Sequence, residues 1–122
     1  MDKITVNGQE YILASSVVPN ERAVNTDGLK YVIVRTYSAG VFAGYLESRN
    51  GQEVVLRNAR RLWYWSGAAS LSQMAEDGTT NPDGCKFPCE VDRVELLQAV
   101  EILDCSEKSR LSIYSVNVWE LK

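Results

Sequence analysis

Between Tyr31 and Leu56 the chain carries three β-prone runs separated by turn signals, a spacing that points to an antiparallel sheet. Tyr31-Val32-Ile33-Val34-Arg35-Thr36-Tyr37 is β-branched and aromatic, Ser38-Ala39-Gly40 breaks it, and Val41 to Ser48 forms the second run. Asn50-Gly51 supplies a two-residue turn, after which Glu53-Val54-Val55-Leu56 returns. Three antiparallel strands of a twisted sheet are expected from this stretch.

The flanking sequence adds shorter elements. Ile4 to Leu13 reads as a hairpin around Asn7-Gly8, and residues 14–30 read as a connecting loop in which Pro19, Asp27 and Gly28 collect. A fourth strand is expected over Leu62 to Trp65, reached by a turn or bulge around Asn58. Ser66 stands as the N-cap of a short helix that Asp77-Gly78 stops. Thr79 to Gly84 is turn-rich, and Lys86 to Val91 suits an extended edge segment. Val94, Leu97, Val100 and Leu103 follow a helical period across Asp92 to Leu103, although Ala99 to Leu103 also alternates in part as a strand would. Asp104 with Glu107 resembles a capping box opening a last helix through Ile113, and Val116 to Leu121 alternates as a closing strand. The expected architecture is α+β: one domain over residues 1–122, with a mainly antiparallel sheet and two or three short helices on one side.

Composition narrows the chemistry. The 122 residues include no His, which removes imidazole bases, Ser-His-Asp and Cys-His nucleophile systems, and His-containing zinc sites. A net charge of −3 disfavours whole-protein attraction to long nucleic acid and confines any anion site to a local patch. Cys85, Cys89 and Cys105 are odd in number, and no basic segment followed by an apolar stretch opens the chain, so reduced thiols in a cytoplasmic protein are expected. Three thiolates with no His make a poor zinc set, so neither a metal nor another cofactor is expected.

The densest unusual feature runs from Arg57 to Ser70. Arg57, Arg60 and Arg61 directly precede Trp63-Tyr64-Trp65, and Ser66-Gly67 follow where a helix is expected to start. Guanidinium forks pair phosphate oxygens, indole faces stack bases, and a helix N-terminus receives an anion. The plain alternative is a half-buried aromatic strand beside a solvated arginine edge. Alternation over Leu62 to Trp65 puts Trp63 and Trp65 on one face and Tyr64 on the other. Phe87 is a second candidate stacking ring or a plug over the core, and Arg110 is by default a solvated or ion-paired helix arginine.

The segment Asn58 to Gln73, with Tyr31 to Val41 upstream and Cys85-Lys86-Phe87 downstream, resembles a family of small phage proteins that includes Thoeris anti-defence sponges. The resemblance implies a cytoplasmic, non-enzymatic binder that sequesters glycocyclic ADP-ribose signals; some members also take up cyclic di- or trinucleotides. It implies a homo-oligomer, a hexamer built as a trimer of dimers, with pockets between protomers. Under that reading Arg57, Arg60, Arg61 or Arg110 pairs the phosphates. Trp63, Trp65 or Phe87 stacks adenine, and Asn58 or Ser66 meets ribose hydroxyls. Val116, Val118 and Trp119 are candidate assembly contacts. The alternatives are a small phage structural adaptor with no nucleotide ligand, an enzyme that cleaves the signal, and a regulator that docks through its Trp face.

Overall fold

The computed structural model describes residues 21–121 together with Thr5–Val6 and Gln9–Glu10. Strand β1 (Thr5–Val6) pairs antiparallel with β2 (Gln9–Glu10), in the register of a hairpin; its expected Asn7-Gly8 turn, and the loop over residues 14–20, lie outside the described residues. The main sheet comprises β3 (Tyr31–Thr36), β4 (Val41–Asn50), β5 (Glu53–Arg61), β6 (Val91–Leu96) and β7 (Ala99–Asp104), in the order β6-β5-β4-β3-β7 and antiparallel throughout. Helices α1 (Leu71–Asp77) and α2 (Glu107–Ser115) complete an α+β domain, with a single 3-10 turn at Pro82–Gly84.

The two outer strands, β6 and β7, are joined only by Leu97 and Gln98. Five strands laid flat would separate their outer members by about 19 Å. A two-residue link spans at most about 11 Å between flanking Cα atoms. The sheet must therefore curl, and the Ala99 N–H reaches across to the Gln52 carbonyl in the β4–β5 turn. Inside the curl Val32, Val34, Phe42, Val54, Leu56, Ala59, Leu96 and Ala99 form one apolar cluster. On the outer face Tyr31, Ile33 and Ala43 pack with Met74 and Ala75 of α1 and Ile113 of α2 in a second cluster. β3 is buried on both faces, which explains why its sequence is a continuous apolar run and not an alternating one.

A bulge at Asn58 decides which side chains of β5 face the helices. Tyr45 pairs with Arg57 but Ala43 with Arg60, so β5 advances three residues against two on β4, and Asn58 absorbs the extra one at φ +50°. Arg57 and Arg60, which an unbroken strand would send to opposite faces, thereby share the outer face, while Ala59 joins the inner cluster. Gly44 lies against this bulge: a Cβ there would stand 3.0 Å from both the Ala59 Cα and the Arg57 carbonyl oxygen.

Several boundaries differ from the sequence expectations. β5 continues through its bulge to Arg61, and Leu62 to Trp65 is not a strand; its ladder contact is one bridge between Tyr64 and Lys86. Ser66 caps no helix. The cap is Ser70, whose hydroxyl accepts from the Gln73 N–H while Gln73 Oε1 accepts from the Ala69 N–H, and the stop at Gly78 is as expected. In place of the helix expected over Asp92 to Leu103 the chain forms β6 and β7, the two edge strands of the sheet, which leaves the strand alternative at Ala99 to Leu103 as the correct one. Leu97 and Val100, which completed the helical period, are exposed at and beside the turn. Asp104 ends β7, and Ser106 caps α2. Val116 to Leu121 forms no strand beyond one parallel bridge of Val118 to Phe87. The β4–β5 turn falls one residue later than expected, on Gly51-Gln52, because Asn50 still pairs with Glu53.

The helices join end to side through buried serines. Ser106 Oγ donates to the Glu76 carbonyl at 2.6 Å, Ser109 Oγ donates to the Met74 carbonyl at 2.6 Å, and the Ser106 N–H donates to the Ala75 carbonyl. The Ala75 and Glu76 carbonyls at the C-terminus of the short α1 are thus satisfied by Ser106, and the Met74 carbonyl, which already accepts from the Gly78 N–H, gains a second bond from Ser109. Gly44→Ala is expected to destabilise the domain by about 1–3 kcal/mol, since backbone and not a flexible side chain blocks the added methyl. Chemical denaturation followed by circular dichroism measures this, with a native-like spectrum before the transition.

Candidate ligand-binding surface

The three arginines of the basic–aromatic segment do not converge. Arg57 lies at the β6 side of the outer face, where its Nε–H donates to the Asp92 carbonyl at 3.1 Å and its guanidinium meets Glu47 and Asp92 at 3.4 Å. Arg61 turns to the mouth of the curl, donating to the Ala39 carbonyl at 2.8 Å with its guanidinium carbon 4.4 Å from the Phe42 ring centroid. Arg60 goes inward and is 5% exposed. Its Nε, Nη1 and Nη2 donate to the carbonyls of Pro88 (2.9 Å), Ile113 (2.7 Å) and Phe87 (3.1 Å). Burial pulls its pKa below the usual arginine value, yet a guanidinium stays protonated at neutral pH.

The remaining candidates also separate. Phe87 is 0% exposed, so its ring is a core plug beneath Arg60 and presents no face to a ligand. Asn58 is the bulge residue, with an exposed side chain. Ser66 is half-buried and serves its own loop: its hydroxyl accepts from Asn81 Nδ2 and its carbonyl from the Thr79 hydroxyl. Arg110 is held by Glu107 in a two-point ion pair, at 3.0 and 2.6 Å, within α2. That pair raises the arginine and holds the Glu107 carboxyl below the usual carboxylate range. Of the proposed assembly contacts, Val116 is buried in the core, while Val118 and Trp119 are exposed.

Trp63 and Trp65 part company because their segment is not a strand. Trp65 is half-buried against the helix-side cluster. Trp63 is 62% exposed and stacks on Trp119, with ring centroids 6.3 Å apart and planes 13° from parallel. Lys86 Nζ stands 5.6 Å from the Trp119 ring and 5.7 Å from the Tyr64 ring, so Tyr64 belongs to the same patch as Trp63. Two backbone connections fix this platform: the Tyr64–Lys86 bridge, and the Trp119 N–H donating to the Phe87 carbonyl at 3.0 Å. Trp119, Lys86 and Tyr64 were not assigned to the ligand site from sequence. Nothing in the spacing of residues 63, 86 and 119 brings them together; only the pairing of both flanking segments with 86–87 does so.

A cleft of about 320 Å³ is lined by Tyr31, Arg60, Glu90 and residues 114–118, and by none of Trp63, Tyr64, Lys86 and Trp119. Tyr31 is buried edge-on against Tyr45, and burial pushes its phenol well above the usual tyrosine range. Among the described residues no group of three or more Cys, Asp or Glu side chains is placed to hold a metal ion, and no helix is long and apolar enough to cross a membrane. Burial lifts the Cys105 thiol to about 12, so it stays protonated at neutral pH.

These placements separate structural from exposed aromatics. Phe87→Ala is expected to cost about 3–5 kcal/mol, whereas Trp63→Ala loses a surface stack and costs about 1 kcal/mol. Trp65→Ala falls between them, and thermal melts of the three variants give the order. Glu107→Gln is less stable than the parent by under about 1 kcal/mol at pH 7. Because the folded carboxyl titrates below its unfolded value of about 4.3, the parent's advantage is present above that pH and disappears as pH falls through the folded value. Urea midpoints of the two proteins measured from pH 7 to pH 2.5 are expected to converge at the acid end.

No curated protein and no solved structure matches the chain. A family model, described as a domain of unknown function (DUF6948), matches residues 29–113, a span that opens just before β3 and closes within α2. That match covers more than half of the chain, and the protein belongs to the DUF6948 family.

Proposed function

We propose that this protein is a non-catalytic binder of a small nucleotide, stacking the base on the Trp63–Trp119 platform and placing the Lys86 ammonium beside its phosphate. The observation that carries the reading is the exposed, nearly parallel indole pair with a lysine over its edge. An indole face is worth about 1–3 kcal/mol per stacked base, and a lysine supplies a point charge for phosphate. Holding two large apolar rings in water gives the isolated fold little, and a planar partner changes that balance.

The resemblance of residues 58–73 to phage anti-defence sponges supplies the ligand class: a glycocyclic ADP-ribose signal, with cyclic oligonucleotides as the related class. In this reading the protein sequesters the signal in the host cytoplasm and releases it chemically unchanged. It acts as a homo-oligomer, a hexamer built from dimers, in which Val118 and Trp119 lie at or near protomer contacts. Arg57, Arg61 and Arg110 are each engaged within the chain, so the phosphate contact moves from the arginine cluster to Lys86.

Fluorescence titration of the full chain tests this directly. Glycocyclic ADP-ribose or a cyclic dinucleotide is expected to quench the tryptophans, and Trp63→Ala to weaken binding by about tenfold or more while the protein stays folded. Heating the complex is expected to return the nucleotide intact, as chromatography would register. Absence of quenching with both nucleotide classes sinks the reading; a cleaved product sinks its non-enzymatic part.

A further inference from the structure

We propose that the cleft floored by Arg60 is a separate oxyanion site, for a phosphate monoester or a carboxylate, and that Glu90 competes with the ligand for it. Arg60 carries five N–H donors, of which three go to the carbonyls of Phe87, Pro88 and Ile113. Two N–H groups are left without a partner among the described residues, on an arginine that as a residue is 95% buried yet lines a cleft of about 320 Å³. Backbone carbonyls solvate the cation but do not neutralise it, and no carboxylate forms an ion pair with it among the described residues. A buried positive charge that has no ion-pair partner among the described residues and faces an open cavity favours an anion that brings charge and two acceptor oxygens together.

The rest of the lining fits a small polar anion. Tyr31 and Glu90 line the cleft, together with Tyr114 and Ser115 at the end of α2 and Asn117 just after it. The cavity volume is at the lower end of the range for small-molecule sites, enough for a phosphate carrying a small organic group. Glu90 is exposed and lines the same cleft, close enough to favour the charged form of Arg60. Its carboxylate is the built-in rival for the two free donors and repels an incoming anion, so removing its charge tightens binding.

The site is independent of the tryptophan platform, so its test is independent too. Inorganic phosphate and sodium acetate, at matched ionic strength, are titrated into the ¹⁵N-labelled full chain while the Nε–H resonance of Arg60 is followed. Saturable movement of that resonance is expected with at least one anion, phosphate alone pointing to a phosphate monoester and acetate alone to a carboxylate. Glu90→Gln is expected to tighten the dissociation constant at least fivefold, and Trp63→Ala to leave it unchanged. Arg60→Lys keeps the charge but not the fork and is expected to weaken binding; should it fail to fold, the Glu90→Gln comparison decides alone. A non-saturating response to both anions, or a Glu90→Gln affinity equal to the parent's, overturns the proposal.

Discussion

The buried guanidinium of Arg60 ties together segments that no regular element connects. Its three bonds reach the carbonyls of Phe87 and Pro88, in the extended stretch before β6, and of Ile113, in the last turn of α2. The Phe87 carbonyl also accepts from the Trp119 N–H and the Ile113 carbonyl from the Val116 N–H, so Arg60 adds a second, charge-assisted bond at each, and it adds one at the Pro88 carbonyl as well. The bond to Ile113 also sets a cation against the negative end of the α2 dipole. Arg60 is therefore part of the wiring, and it reaches the helices only because Asn58 inserts one extra residue and turns positions 57 and 60 to the same face. A local backbone irregularity thus decides how the second layer docks.

The other constraint is the curl imposed by the Leu97-Gln98 link, at the opposite end of β6 from the bulge. Curling lets a sheet of five short strands bury both faces with helices on only one of them: the inner cluster packs against itself, and α1 and α2 cover the outer face. This explains why two helices of seven and nine residues suffice. Neither is long enough to be stable in isolation, and each is held by the buried contacts of Met74, Ala75 and Ile113 and by the serines that bond one helix end to the other.

What the sequence made legible was local, and what it hid was tertiary. β3, most of β4 and the first part of β5, Glu53 to Leu56, follow from β-branched runs and glycine turns, which act within a few residues. Strands β6 and β7 are hidden in the sequence because Leu97 and Val100 project into solvent at and beside their connection, and a leucine there mimics a helical period. Ser70-Leu71-Ser72-Gln73 carried the capping-box spacing that Ser66 lacks, so the true start of α1 was available in the sequence and was outweighed by the adjacent glycine and alanines. For the site, Arg-Arg-x-Trp-x-Trp suggested one constellation, but a bulge on one side and the loss of strand geometry after Arg61 on the other scatter its members over separate surfaces. Residue types alone could not distinguish a guanidinium that solvates carbonyls from one that awaits phosphate.

That scattering sharpens the meaning of the aromatic patch. A tryptophan whose role is packing behaves as Trp65 does, half-buried against Leu62 and its neighbours. Trp63 instead leaves the core and meets Trp119, which comes from the far end of the chain, on a scaffold fixed by backbone hydrogen bonds to Lys86 and Phe87. Phe87 is the hinge of the arrangement: its ring fills the core, its carbonyl accepts from both Arg60 and Trp119, and its neighbour Lys86 stands over the platform. The platform is thus held from below by the same residue that the arginine anchors. Rings fixed in this way present a planar face with little conformational entropy left to lose, which favours a planar ligand over a flexible one.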